Sequence, residues 1–336
     1  MMTPQEILEA LEAENAQSLF VHARLVRDSV FGKEVFQRGV VEFSNNCRKN
    51  CHYCGLRCSN ANLERFALTK DEILSAVNMA VECGLGTVVL QSGEDADLDP
   101  RFIGDTIECI KELTDIPVTL CLGDHDRDIY KYWRACGADR YLLKMETFDR
   151  ELHARFRPGQ SVAGRLSRLE MLCNLGYETG SGLITGLPGM TPEILAHDLY
   201  RLSELPLGMI AVGPFIPHPD TSLGRSRSGC VEESLRATAL LRIMNQGVNI
   251  PATSALDALL PNGREQGLEA GANVVMPSVT PESVRYEYSI YPGKNSSAGT
   301  VPESVSNLQQ RLKAAGYQPS SARGGSPDRA AKFKDI

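Results

Sequence analysis

From Gly39 onward the chain alternates short β-branched runs with stretches whose apolar residues recur at helical spacing. The runs fall at Val40–Phe43, Thr87–Gln91, Val118–Leu122, Tyr141–Lys144, Gly182–Thr185, Met209–Val212, Asn249–Ala252 and Asn273–Met276. Between most of them the periodicity predicts amphipathic helices over Lys70–Glu82, Asp99–Leu113, Arg127–Ala135, Val162–Leu175, Pro192–Ser203 and Glu232–Met244. Leu85-Gly86, Gly137-Ala138, Leu175-Gly176 and Gly271-Ala272 read as helix stops that feed the next strand. Strands alternating with helices imply a parallel sheet, and eight is the number that closes an α/β barrel of the (β/α)8, TIM type. An open doubly wound sheet is the alternative. It expects a glycine-rich phosphate turn after the first strand, where this chain has cysteines.

Both ends of the chain leave this pattern. Residues 1–36 read as an N-terminal helical cap, with Pro4 opening Gln5–Glu14 and a second segment over Ala16–Val30. The barrel then spans 37–280. Residues 281–336 form a C-terminal extension with an aromatic cluster (Tyr286, Tyr288, Tyr291), a Ser/Gly-rich loop at 295–299, a helix over Pro302–Ala315 and a polar tail.

At 336 residues, 42% hydrophobic and 23% charged, the chain has the make-up of a globular protein with a sizeable core. Its net charge of -7 argues against nucleic acid or an anionic membrane as the main partner, while leaving room for a local basic lining. No signal peptide and no membrane-length apolar run is visible, so a cytoplasmic location is expected. Cys83, Cys109, Cys136 and Cys173 in helical patterns, and Cys121 in a strand, read as small buried hydrophobes in a reducing compartment. Only the region 47–58 is dense enough in cysteine to bind metal.

Chemistry in a barrel sits at the C-terminal ends of its strands. The first strand ends in the run Asn46-Cys-Arg-Lys-Asn-Cys-His-Tyr-Cys-Gly55. Cys47, Cys51 and Cys54 can hold three corners of one iron–sulfur cluster and leave one iron open. A structural zinc site needs four ligands, with Cys58 or His52 as the fourth, and usually a second C-x2-C pair that is lacking here. The second strand ends in Gln91-Ser92-Gly93-Glu94, where Gly93 permits close backbone approach and Glu94 or nearby carbonyls can accept from an ammonium. Glu146 closes the fourth strand at the barrel mouth, where an unpaired carboxylate is costly, and Arg165 is the expected partner. That pair reads either as a grip on polar cofactor groups or as a structural salt bridge. His218 reads equally as a ligand or base and as a rigid loop residue, and Tyr288 and Tyr291 as pocket wall or rim packing.

The C-x3-C-x2-C spacing, with Tyr53 just before the last cysteine, resembles the radical S-adenosylmethionine (SAM) enzymes. Across about Gly39 to Lys294 the chain resembles one of their families more closely, HydE, the maturases of [FeFe]-hydrogenase. The likeness rests on Val41-Glu-Phe-Ser-Asn-Asn-Cys-Arg-Lys-Asn-Cys-His-Tyr-Cys-Gly-Leu-Arg57, Val89-Leu-Gln-Ser-Gly-Glu-Asp95, Gly213-Pro-Phe-Ile-Pro-His-Pro-Asp-Thr221, Gly271-Ala-Asn-Val-Val-Met-Pro277 and Tyr291-Pro-Gly-Lys294. The resemblance implies a [4Fe–4S] cluster on Cys47, Cys51 and Cys54, SAM contacts by Gln91, Glu146 and Arg165, and Tyr53 beside the cluster. With the second-strand turn, Ser92, Gly93 and Glu94 join the expected SAM site. Lys144, Met209, Thr253, Met276, Tyr288 and Tyr291 fall where that family lines its substrate cavity.

The resemblance further implies a role in building the diiron subcluster of the hydrogenase H-cluster. The substrate there is a cysteine-bound iron carbonyl–cyanide precursor from a sister maturase, attacked at sulfur by a radical. Other maturases and an electron donor such as ferredoxin or flavodoxin follow as partners. Two departures stand out. Lys144-Met145 replaces an Arg-His pair before the fourth-strand Glu, and the loop after Lys294 lacks the cysteines of a second cluster. A methylornithine-synthase-like mutase or another paralogue, and a noncatalytic iron–sulfur carrier, stay open as alternatives.

Overall fold

A computed structural model describes residues 2–295 and 299–327. Residues 296–298 of the expected Ser/Gly-rich loop, and 328–336 of the tail, lie outside the described residues. Strands β1 (Glu34–Ser44), β2 (Thr87–Ser92), β3 (Val118–Cys121), β4 (Arg140–Leu142), β5 (Glu178–Thr185) and β6 (Met209–Pro214) lie side by side in chain order, all parallel. β7 (Val274–Val275) pairs the other edge of β1 through Phe36 and Gln37. The expected strand Asn249–Ala252 is present only as a bridge. Asn249 pairs Met209 of β6, and Pro251 pairs Val274 of β7. Its hydrogen bonds run to both neighbours: Asn249 N donates to Gly208 O at 3.0 Å, and Ala252 N to Val274 O at 2.9 Å. The sheet therefore closes on itself, with its weakest seam at Pro251, which has no N–H to give.

Side-chain parity divides the barrel into two layers. Val41, Phe43, Val88, Leu90, Val118, Leu120, Ile210 and Val212 point outward into one core with Ile73, Ile107 and Trp133 of the surrounding helices. Burial of each such side chain contributes about 1.5–3 kcal/mol. The alternate residues, among them Glu42, Gln91, Cys121 and Gly213, face the interior, where polar groups stand among apolar side chains such as Val40, Leu142, Ile184 and Met276.

Helix boundaries follow their caps. Thr69 and Glu72 form a capping box that starts the helix Lys70–Glu82, and Thr300 with Glu303 starts Val301–Ala314 in the same way. The helices Arg150–Phe156, Ser254–Leu259, Gly263–Glu269 and Glu282–Arg285 went unforeseen, being too short to show a period. The tail is not simply polar coil. β8 (Gln318–Ser320) pairs the start of β1, and the residues after it cross the N-terminal mouth of the barrel. There Arg323 O accepts from Arg140 at 2.7 Å, Gly324 O from Asn249 at 2.9 Å, and Ser326 N donates to Glu178 at 3.2 Å.

Candidate functional site

The cysteine loop leaves β1 and is anchored at several points. Asn45 holds its base, donating to Glu64 O and Glu287 O and accepting from Phe66 N at 2.8 Å. Arg65 fills its middle, donating to the carbonyls of Asn45, Leu56 and Arg57 at 2.6–2.9 Å. Glu94 ties it to the ends of β2 and β3. Its Oε1 lies 2.9 Å from both Arg48 Nε and Lys49 Nζ, and its Oε2 accepts from Asp124 N at 3.1 Å. Both Glu94 oxygens are thus engaged, and the structure places this carboxylate as an anchor of the loop rather than as a free acceptor. Gly93 allows the close approach. A Cβ there would sit 2.1 Å from Asn46 O and 2.9 Å from Cys47 Cβ. Gly55 does the same on the far side, against Ser289 O and the His218 ring. His218 packs behind the loop, its Nε2 3.3 Å from Ser289 Oγ, and it does not line the cavity described next.

Cys47, Cys51 and Cys54 open onto a cavity of 370 Å³ at the C-terminal ends of the strands. Tyr53, Gln91, Ser92, Glu146 and Arg165 share its wall near the thiols. Burial pushes all three thiols up, so the metal-free groups are protonated at neutral pH and metal binding displaces their protons. Glu146 sits in the left-handed region at φ 69°, which a glutamate adopts only under constraint. Its Oε2 lies 3.1 Å from Lys144 Nζ yet has no hydrogen-bond partner among the described residues.

The expected Glu146–Arg165 pair does not form. Arg165 is held instead by Asp124, at the end of β3, through a bond of 2.7 Å between two buried groups, with its Nε left unpaired among the described residues. Asp124 escaped the sequence reading, although Gly123-Asp124 ends its strand with the glycine-and-acid pattern seen after β2. Arg157 escaped it too. It is buried beside Tyr53, Cys51 and Glu146 and donates to Lys144 O at 3.2 Å, and nothing in Arg-Phe-Arg-Pro-Gly marks it out.

Deeper in the cavity lie Lys144, Thr253, Met276, Tyr288 and Tyr291, together with Cys121. Tyr291 bonds Ser254 Oγ at 2.7 Å, and Tyr288 is fully buried near Cys121, Glu42 and Gln91. Thr253 Oγ1 has no partner among the described residues. Lys294 reaches in from the C-terminal extension to Glu42 at 2.9 Å. Burial alone raises the Glu42 carboxyl, but Lys294 with Ser278 and Thr280 outweighs it and holds the group below the usual carboxylate range. Met209 departs from expectation: it is not on the cavity wall. It lies at the start of β6, a layer below Ala211 and Gly213, with its Sδ 2.7 Å from Arg38 NH1.

Residues 41–200 match the model of the radical SAM superfamily. The [FeFe] hydrogenase maturase subunit HydE of Thermotoga maritima is 44% identical over 310 residues, covering 87% of this chain and 89% of that protein. The chain belongs to the HydE family of radical SAM enzymes. A 3-methylornithine synthase of Methanosarcina barkeri is 30% identical over 279 residues, covering 82% of this chain and 79% of that one. Among solved structures, a methylornithine synthase matches with TM-score 0.85 at 27% identity, over 99% of this chain and 96% of that one. The maturase HydG matches in fold with TM-score 0.83 at 21% identity, over 99% and 77%. The barrel seen here is thus the fold of those two solved structures.

Membership brings a [4Fe–4S] cluster and SAM as cofactors. The residues present suit both. Three free thiols share one cavity wall, while among the described residues no three His, Cys, Asp or Glu side chains converge on a single metal ion. Cys58 is exposed and off the cavity. A Glu146 carboxylate with Lys144 on one side and a half-paired guanidinium at Arg165 suit the ammonium and carboxylate of an amino acid.

Proposed function

We propose that this chain reductively cleaves SAM and acts in assembly of the diiron subsite of the [FeFe]-hydrogenase H-cluster, as its HydE relative does in hydrogenase maturation. Cys47, Cys51 and Cys54 hold the cluster, with Tyr53 beside it. The cluster, when bound, supplies the electron that breaks a sulfonium carbon–sulfur bond and yields a 5′-deoxyadenosyl radical. Glu146 receives the SAM ammonium and Arg165 the carboxylate, while Gln91 and the Ser92-Gly93 backbone line the rest of that site. Glu94 serves the same site indirectly, by fixing the cysteine loop through Arg48 and Lys49.

The observation that carries this reading is the continuity of one cavity from the three thiols, past Glu146, to Lys144, Thr253, Met276, Tyr288 and Tyr291. Those last residues form the substrate end. Lys144 offers a single-point cation rather than a bidentate fork, which suits a small anionic or organometallic substrate. The other maturases and a one-electron donor such as ferredoxin or flavodoxin are its partners. The cytoplasm, where its free cysteines stay reduced, is its compartment. Expression in a strain that has hydrogenase but lacks its own HydE tests the role. Restored hydrogenase activity is expected; none, from well-expressed protein, sinks it.

A second reading has one observation in its favour, the TM-score of 0.85 with a methylornithine synthase. In it, Lys144 grips the carboxylate of an amino-acid substrate. Conversion of lysine to 3-methylornithine by the reconstituted protein would replace the first reading with this one.

A further inference from the structure

Glu146 combines a costly left-handed backbone with a half-buried carboxylate that faces the Lys144 ammonium at 3.1 Å. Such a conformation persists only where neighbours over-determine it. Its own backbone bonds, from Glu146 N to Gly182 O and from Ile184 N to Glu146 O, continue the sheet and do not by themselves enforce the turn. The enforcement comes from outside the barrel. Asp198, fully buried on the helix Pro192–Glu204, accepts from Thr147 Oγ1 at 2.6 Å and from Phe148 N at 2.8 Å. Thr147 Oγ1 in turn accepts from Asp149 N at 3.1 Å. On the other side of Glu146, Arg157 grips Lys144 O at 3.2 Å.

A buried aspartate is expensive unless a cation or several donors compensate it. Asp198 makes no ion pair among the described residues, and burial pushes its carboxyl up to about 7. Its two hydrogen-bond donors are the two residues that follow Glu146. A leucine would pack the same helix against the barrel at lower cost, so the carboxylate serves the turn.

We propose that Asp198 is a positioning residue that, through Thr147 and Phe148, holds the strained turn presenting the Glu146 carboxylate to the ammonium of SAM. This rests on Glu146 being a SAM contact. The geometry makes Asp198 and Glu146 one unit, although 51 residues separate Asp198 from its Thr147 partner.

The test is a double-mutant cycle on the cluster-loaded protein, with SAM affinity measured by calorimetry without reductant. Iron content and melting temperature serve as controls. Asp198→Asn is expected to weaken SAM binding about tenfold, and Glu146→Gln at least as much. In the Glu146→Gln background, Asp198→Asn is expected to add less than about twofold, since coupled residues are not additive. Thr147→Val, which keeps shape and loses the hydroxyl, serves where Asp198→Asn does not fold, and Thr147→Ser is expected to restore affinity. Full additivity of Asp198→Asn with Glu146→Gln, or unchanged affinity in Asp198→Asn and Thr147→Val, overturns the positioning role while leaving Glu146 as a contact. Unchanged affinity in Glu146→Gln overturns the SAM contact itself, and the positioning role falls with it.

Discussion

The two mouths of the barrel are built from the same strands and use their polar groups differently. At the C-terminal mouth, ion pairs such as Arg165–Asp124 and Lys294–Glu42 hold the rim, and several polar atoms are left free toward the cavity. Arg157 Nε, Arg165 Nε and Thr253 Oγ1 are buried without hydrogen-bond partners among the described residues, and Glu146 Oε2 faces the Lys144 ammonium at 3.1 Å, around a cavity of 370 Å³. At the N-terminal mouth, charges are joined. Arg140 pairs with Glu178 at 2.9 Å, both buried, and the tail beyond β8 lays its carbonyls across Arg38, Arg140 and Asn249. Unsatisfied groups cost stability and satisfied ones return it. The contrast lies in the cavity: both mouths carry buried ion pairs, but the C-terminal mouth alone sets its free polar atoms around an open space among the described residues, the division expected of a TIM-type barrel.

Substitutions at each mouth can break that contrast. The largest effect is expected for Cys51→Ala, which removes one thiolate of three. Cluster content by iron assay should fall to background, while the melting temperature of the metal-free protein stays put. Cys58→Ala, at an exposed thiol off the cavity, should keep its full iron content. Loss of iron in the Cys58 variant would move the ligand set. Next comes Glu178→Ala, which strands the buried Arg140. A loss of about 3–5 kcal/mol in denaturant unfolding is expected, with SAM affinity of the surviving folded fraction unchanged. An equal loss of SAM affinity would show that the two mouths are not separable.

The smallest effect concerns His153, buried behind the Glu146 turn with neither ring nitrogen bonded among the described residues. Burial, aided by the Arg157 charge, lowers it to about 4. The unfolded chain binds this proton near pH 6.5 and the folded one does not. Stability is therefore fully present above pH 6.5 and falls as the pH drops toward 4. His153→Leu should flatten that limb in unfolding midpoints measured from pH 7 to 4. An unchanged slope would place the acid sensitivity elsewhere.

The strands were legible because their outward residues meet a continuous helical core, so the runs stay apolar whatever faces the interior. The helix Lys70–Glu82 was legible to the residue because Thr69 and Glu72 announce its start. β8 was not: Gln318-Pro319-Ser320 has no β-branched residue, and its pairing is supplied by the edge of β1. In the site, Arg165 stands in the first turn of the helix Val162–Asn174, whereas the thiols, Gln91 and Glu146 could be found by walking along strand ends. Partnerships could not. Arg48 and Lys49 claim Glu94, and Asp124 claims Arg165, because loops distant in sequence meet at one rim. Met209 has the inward parity of a cavity residue, but parity does not reveal depth along the barrel axis.

The proposed activity is one-electron cleavage of SAM in this cavity, at a cluster on Cys47, Cys51 and Cys54. Its most direct test is 5′-deoxyadenosine formation by anaerobically reconstituted protein given SAM and a strong reductant, with Cys51→Ala alongside. 5′-Deoxyadenosine is expected from the wild-type protein and none from the variant. No 5′-deoxyadenosine from protein carrying a full cluster would contradict the account.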